Sequence, residues 1–346
     1  MFVQKWTEEL AKYARERCFA HSRLILAAAL IVCLLAGALP VRASQATSLP
    51  RIGYLTLESA AAHAPYAAGF RKGLRDHGYT EGQNIAIEWR YAANDLSRVP
   101  GLVAELVHLR VDVLVADGSQ VALVAKRSTN TIPIVVPTSV DPVAAGLVAS
   151  LARPGGNVTG FALMSPELVG KRLALLKEVA PSTRRVAVLL NPDNPGCENQ
   201  LTAARAAAPA LEVELYPLSV RQVDEIDTGL SALIGRVDSL LVTDDVLLDT
   251  FRAQIGRAAA RGRMTSICGY PLPGDSGCVI MYGPDLVDLF PRAARLVDRI
   301  LKGARPADLP IEQPAKFQLV INAKAAKMIG RAIPQSVLIR ADEVIK

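Results

Sequence analysis

Histidine, cysteine and aromatic residues are scarce in this sequence. Its 346 residues hold four His and five Cys, and Phe, Trp and Tyr together make up 5%. No His or Cys falls at a zinc-ligand spacing, so no metal or other cofactor is expected. Asp244-Asp245 could touch a cation, but no third ligand accompanies them. The phosphate loop G-x-x-x-x-G-K-[ST] is absent. The first strand-like run reads Gly53-Tyr54-Leu55-Thr56 where a dinucleotide-binding G-x-G-x-x-G would stand. Gly118-Ser119-Gln120 lacks the flanking glycine of a nucleophile elbow. A two-cysteine racemase needs a cysteine at a strand end in each half, and Cys197 has no counterpart in the first half. His63 reads as a surface loop residue. No Lys/Arg run is interleaved with aromatics, so nucleic acid is not an expected partner.

The net charge of +6 is partly local. Residues 1–46 hold six basic and three acidic residues, which leaves a net +3 over the rest. Lys12, Arg15, Arg17 and Arg23 precede the uncharged run Leu24–Leu39. Ala43 and Ala46 then offer cleavage positions with small or medium residues at −3 and −1. The pattern predicts a secretory signal peptide over 1–46, against the alternative of a retained anchor. Cys33 lacks a lipidation context. No later run approaches the ~18 apolar residues of a membrane span. An exported, periplasmic chain is expected, with Cys197, Cys268 and Cys278 remaining after cleavage.

Half of the sequence is apolar, mostly Ala, Val, Leu and Ile. At about 100–200 residues per domain, two domains are expected. From Arg51, strand-like runs alternate with helical ones: 51–57, 84–92, VDVLVA and IPIVVP as strands, 65–79, 97–110 and 119–129 as helices. After residue 160 the rhythm restarts, with strands at 185–191, 237–245, 264–269 and 278–283 and helices including 246–262. This βαβα order predicts an α/β fold with doubly wound parallel sheets. The late amphipathic stretch 284–303 places Leu286, Leu289, Phe290, Ala293, Val297 and Ile300 on one side. It suggests that the chain crosses between two lobes more than once.

Ligands of open α/β sheets bind outside the carboxyl ends of the strands. Those ends carry Thr56, Asp117 to Gln120, and Thr138 to Asp141 in the first unit. In the second they carry Asn191 to Asn194, Thr243 to Asp245, and Gly269-Tyr270. Singly, Ser119, Asp141, Asn194 and Asp245 also suit helix capping; as a set they outline a polar cleft.

The stretches FRKGLRDHGYTEGQNIAIEWRYA, DPVAAGLVASLARPGGNVTG, KRLALLKEVAPSTRRVAVLLNPDNP and RILKGARPADLPIEQPAKFQLVINAKAAKMIG carry a family likeness. From about Pro50 to Lys346 the chain resembles the exported substrate-binding proteins of ABC transporters, in the branch with tryptophan- and tyrosine-type receptors. The resemblance implies a periplasmic-binding-protein-like fold of type I, with two lobes joined by three hinge crossings. Lobe one is expected over 50–160 plus 284–316, and lobe two over 161–283 plus 317–346. It also implies capture of a small molecule, an amino acid or related organic compound, for delivery to an ABC permease, by a monomer. The ligand set expected is Thr56, Ser119, Gln120, Thr138, Ser139 and Asp141 from one lobe, with Asn191, Asp244 and Tyr270 from the other. A helix over 142–152 would stand behind Asp141, and Asn157–Gly160 would begin the first crossing. The chain departs from many relatives at Gly118-Ser119-Gln120 and at CGYPLPGDSGC, and both stretches could touch the ligand. The alternatives are an exported α/β enzyme and a ligand sensor of the same fold; a repressor would need a helix-turn-helix where residues 1–46 read as a signal.

Cys268 and Cys278 flank a nine-residue loop between two probable strands. In an oxidising compartment they could form a disulfide; two buried free thiols on neighbouring strands are the equal alternative.

Overall fold

The computed structural model describes residues 49–272 and 277–346, with Thr7, Glu9 and Lys12. The expected export signal and its cleavage positions lie outside the described residues. The chain divides into two compact units, residues 1–48 and 49–346; the second holds both sheets.

The first sheet is all parallel. It contains β1 (Arg51–Thr56), β2 (Ala86–Tyr91), β3 (Val113–Asp117), β4 (Ile134–Ser139) and β5 (Val158–Ala162), in the order β2-β1-β3-β4-β5. Apart from edge strand β2 its strands are almost entirely buried, as expected when helices cover both faces. Those helices include α1 (Ala60–Asp76), α2 (Val99–His108) and α3 (Ser119–Ser128). Tyr54, Phe70 and Val115 form the core on one face; Leu55, Leu106 and Leu114 form it on the other.

The chain then passes through α4 (Ser165–Val179), β6 (Arg185–Leu190), α5 (Pro195–Ala207), β7 (Glu214–Ser219), α6 (Val223–Ala232) and β8 (Ser239–Val242). It continues through α7 (Val246–Thr250), α8 (Arg252–Arg261), β9 (Thr265–Cys268) and β10 (Ile280–Pro284). Next, α9 (Leu286–Leu301) returns to the first sheet. There its buried residues Leu289, Phe290 and Ala293 join the core of Tyr66 and Phe70 on α1. After it β11 (Phe317–Asn322), α10 (Ala323–Met328), α11 (Gln335–Arg340) and β12 (Glu343–Ile345) complete the second sheet, in the order β12-β11-β10-β9-β8-β6-β7. Its pairs are parallel except β10 with β11. The chain therefore crosses between the sheets three times, after Ala162, near Asp285 and between Glu312 and Phe317. Backbone bonds tie the crossings together: Ala162 N–H to Glu312 O at 2.9 Å, Glu312 N–H to Gly160 O at 2.9 Å, and Asp285 N–H to Lys316 O at 3.1 Å.

Four local expectations need correction. Residues 142–152 form no helix. One turn follows Asp141, and Gly146, at φ 69°, swings the chain out of helical geometry. Asn157–Gly160 does not begin a crossing. Asn157 Nδ2 binds the carbonyls of Thr129 and Ile132, aligning 158–162 as strand β5 beside β4, so the crossing follows Ala162. Helix α1 begins at Ala60, before Pro65, because Ser59 Oγ caps it by accepting from Ala62 N–H at 3.3 Å. His63 consequently lies on the inward face and is fully buried. The single helix expected over 246–262 breaks at Phe251 into α7 and α8.

Candidate functional site

Strands β1, β3 and β4 are neighbours, so their carboxyl ends converge. Thr56 lies opposite Asp117 in the β1–β3 register. Thr138 Oγ1 donates to Asp117 Oδ1 at 2.5 Å, and Thr56 Oγ1 to Oδ2 at 3.5 Å. Burial pushes the Asp117 carboxyl up to about 6, opposed by the two hydroxyl hydrogen bonds.

Asp117 faces a cavity of ≈ 380 Å³ between the two sheets. On the first-sheet side it is lined by Thr56, Glu58, Tyr66 and Thr138, with Leu286 and Phe290 of α9. On the second-sheet side it is lined by Val246, Asp249, Tyr270 and Leu272. Tyr66 and Phe290 stack with ring centroids 4.7 Å apart. The Tyr66 hydroxyl is buried at the cavity wall and has no hydrogen-bond partner among the described residues. An adjoining pocket of ≈ 300 Å³ shares Thr138, Val246 and Tyr270, and adds Ser119, Gln120, Asn194 and Asp245.

The acidic groups of the two walls differ. On the second-sheet side Asp249 pairs with Arg252 and accepts the Tyr270 hydroxyl, while Arg252 Nη1 donates to Tyr270 O at 2.6 Å. Burial raises Asp249 to about 6, with Arg252 opposing. The break after α7 gives this cluster its geometry, since Asp249 and Arg252 stand on either side of it. On the first-sheet side Glu58 and Asp117 share only His63, whose Nδ1 lies 2.9 Å from Glu58 Oε2 and 3.7 Å from Asp117 Oδ2. Among the described residues no Lys or Arg pairs with either carboxylate. The cavity thus presents uncompensated negative charge on one wall and aromatic surface around it.

Of the expected ligand set, Thr56, Thr138 and Tyr270 meet at this cavity, and Ser119 and Gln120 line the adjoining pocket. Ser139 is buried beneath Ser119, their hydroxyl oxygens 3.1 Å apart. Asn191 is turned to Asp245, donating to both its oxygens at 3.3 Å. Asp245 caps α7 through Leu247 and Leu248 N–H. Asp244 is fully buried against Arg172, at 2.9 Å, because the Gly269 backbone leaves room for its carboxylate. Asp141 caps its own turn and accepts from Asn199 Nδ2 at 3.0 Å, outside the central cavity. In place of Asp141 and Asp244, the carboxylates at the cavity are Glu58, Asp117 and Asp249. Asp117 was legible as a strand end. Glu58, Tyr66, Asp249 and Phe290 carried no strand-end signal, since they reach the cavity from a loop and from helices. Cys268 and Cys278 are joined in a disulfide with Cα atoms 6.0 Å apart; the segment they enclose carries Tyr270 and Leu272. No group of metal-ligating side chains occurs among the described residues, nor does any helix there have the length and apolarity to cross a membrane.

Residues 55–345 match the model of a family described as ABC transporter substrate binding protein. A tyrosine-binding protein of Clostridioides difficile is 28% identical over 261 residues, which is 75% of each chain. Among solved structures, an ABC domain in complex with L-Trp from Streptococcus pneumoniae is 26% identical, with TM-score 0.81 over 86% of this chain and all of that one. A ligand-free, open substrate-binding protein with adhesive properties from Clostridium difficile is also 26% identical. It has TM-score 0.64 over 86% of this chain and 99% of that one. At equal identity the fit is better to the liganded structure.

Proposed function

The chain belongs to the ABC transporter substrate binding protein family, and from that premise we propose that it is an exported, monomeric receptor for a small amino acid-like zwitterion with an apolar body, which it hands to an ABC permease. The observation that carries this reading is the pairing of Glu58 and Asp117, without Lys or Arg, on the wall of a cavity lined by Tyr66, Phe290 and Tyr270. An ammonium group satisfies such a wall through charge-assisted hydrogen bonds.

A carboxylate has a place as well. Helix α3 starts at Ser119 after Gly118, which holds φ 93° and has no side chain to cap the first amides. The open N–H groups of a helix start, with its dipole, favour an anion. Ser119 and Gln120 stand at the adjoining pocket, on the far side of Thr138 from Glu58. The lobes that close on the ligand are residues 50–162 with 286–312, and 165–284 with 317–346. Membership of a substrate-binding family supports a receptor rather than an enzyme. The matched relatives that carry tryptophan or are named for tyrosine support an aromatic amino acid as the first ligand to try.

The test is calorimetric titration of the protein from residue 47 onward with L-tyrosine, L-tryptophan and L-phenylalanine, each beside its N-acetylated and decarboxylated analogue. Saturable binding of an amino acid, weakened by loss of either charged group, supports the reading. Equal or tighter binding of the N-acetylated forms overturns the ammonium assignment. Turnover of a probe without saturable binding overturns the receptor assignment.

A further inference from the structure

His63 is a buried imidazole behind the cavity wall, against Glu58 and Asp117, and its hydrogen bonds fix its proton. Its ring is fully buried, with Nε2 3.0 Å from Tyr54 Oη and Nδ1 2.9 Å from Glu58 Oε2. Among the described residues, the Tyr54 hydroxyl has only Nε2 as a partner. A buried O–H left without an acceptor costs free energy, so Tyr54 donates and Nε2 accepts. The proton of the neutral ring is then on Nδ1, directed at Glu58, with Asp117 Oδ2 at 3.7 Å. An imidazolium would carry protons on both nitrogens and leave Tyr54 O–H unmatched.

We propose that His63 is a positioning residue for the ligand's cationic group: as a neutral Nδ1–H donor it anchors Glu58 in the cavity wall beside Asp117 and leaves the negative charge of that wall in place. The proposal rests on the reading that an ammonium binds at Glu58 and Asp117. Glu58 lies in the loop after β1 and is partly exposed, so without an anchor it has rotamers that turn away from the cavity. The groups around the ring keep the anchor in one orientation. Tyr54 of β1, Tyr66 of α1, Tyr91 of β2 and Phe290 of α9 surround it, with centroids 5.3 to 6.3 Å away. Glu58 and Asp117 are the charged groups that face it. Selectivity for a cation then comes from three linked contacts, Tyr54 to His63, His63 to Glu58, and Glu58 to the ligand.

The experiment compares wild type, His63→Gln and His63→Phe for binding of L-tyrosine and of N-acetyl-L-tyrosine, with melting temperature recorded for each. Glutamine keeps a donor and an acceptor; phenylalanine keeps only ring volume. His63→Phe is expected to weaken L-tyrosine about tenfold or more, the weight of one hydrogen bond to a charged group, while N-acetyl-L-tyrosine changes less than twofold. His63→Gln is expected to recover most of that loss. Equal weakening of both probes, or none, overturns the proposal, since a structural role would not distinguish them. Wild-type protein that binds neither probe, or does not prefer the free amine, overturns the underlying reading and this inference with it. Nitrogen NMR of wild-type His63 at pH 7 provides a check that needs no variant: a neutral ring protonated on Nδ1 is expected, and an imidazolium or the Nε2 tautomer overturns the proposal.

Discussion

Arg172 and Asp244 meet at 2.9 Å with neither side chain exposed, against Gly269, the residue before Tyr270. Arg172 Nε also donates to Tyr282 O at 2.9 Å, while both guanidinium Nη atoms and both carboxylate oxygens lack well-formed hydrogen bonds. A Cβ at position 269 would fall 1.6 Å from Asp244 Oδ1, so the glycine makes space for the pair. Removing one partner of a buried pair leaves the other charge uncompensated, at about 3–5 kcal/mol. Asp244→Ala is therefore expected to lose that much in urea unfolding. The double change Arg172→Met with Asp244→Leu should regain most of it. A single variant within about 1 kcal/mol of wild type would show that the pair matters little to folding.

Asp117 has a pH signature of defined sign. Its carboxyl is raised to about 6 in the folded chain from an ordinary 3.8. Between those values the folded state holds more protons than the unfolded one, so this group's contribution to stability falls as pH rises from about 4 to 6, then levels off. The size is on the order of 3 kcal/mol at about 1.4 kcal/mol per unit. Asp249 is raised in the same direction. Asp117→Asn should remove the Asp117 part, so the wild-type minus variant difference across pH 4–7 is the quantity to measure by denaturation. A difference that grows in favour of wild type with rising pH contradicts the assignment. A bound cation favours the ionised carboxyl, so affinity for an amine should climb through the same window.

The Tyr66 hydroxyl offers a contrast between stability and binding. It is buried at the cavity wall without a partner among the described residues. Tyr66→Phe should leave the unliganded protein as stable or about 1 kcal/mol more stable, because an unsatisfied polar group is removed. The same change should weaken a ligand whose polar group reaches that hydroxyl, by roughly fivefold to tenfold. Thermal unfolding with and without L-tyrosine measures both effects; a less stable unliganded variant would place the hydroxyl in a structural role.

The disulfide ties the segment that carries Tyr270 and Leu272 to β9 and the start of β10. A loop this short is worth roughly 2–3 kcal/mol on the chain-entropy account. Reduction is expected to lower the melting temperature and to weaken ligand binding through Tyr270. Alkylation of unfolded, unreduced protein from residue 47 onward should label one thiol, that of Cys197. Three labelled thiols would show that the pair is reduced in solution.

The parallel sheets, and the existence of more than one crossing, were legible because they rest on periodicity and on apolar strands, which span many residues; the number of crossings was legible only through the family likeness. Strand ends were legible too, and Thr56, Asp117, Thr138 and Tyr270 stand at them. Direction was not legible. Asp244 and Asp245 are neighbours at one strand end, yet one turns to Arg172 and the other caps α7. The choice depends on Gly269, whose missing side chain leaves room for the first carboxylate, and on α7, whose first amides the second one caps. His63 was misplaced for a local reason, the early cap at Ser59, which a proline at 65 obscured. Phe290 and Tyr66 meet only because α9 packs on α1, a contact made across more than 200 residues of chain.

Among the described residues, two side-chain hydrogen bonds join the halves away from the crossings, and they bear on how long a ligand stays. Asn199 Nδ2 of α5 donates to Asp141 Oδ2 at 3.0 Å, and Thr250 Oγ1 of α7 donates to Asn94 Oδ1 at 3.1 Å. Neither pair belongs to the cavity wall, so neither should alter the contacts made by the ligand. Both exist only while the halves are closed. Each such bond contributes about 0.5–1.5 kcal/mol net, and a loss confined to the closed form appears in dissociation rather than in encounter. Asn199→Ala and Thr250→Val are each expected to speed ligand release roughly twofold to tenfold. The double variant should show the product of the two effects, with association unchanged. Stopped-flow fluorescence with L-tryptophan separates the two rates. Slower association with unchanged release would mean that these bonds order the open form, and that closure is held by the ligand alone.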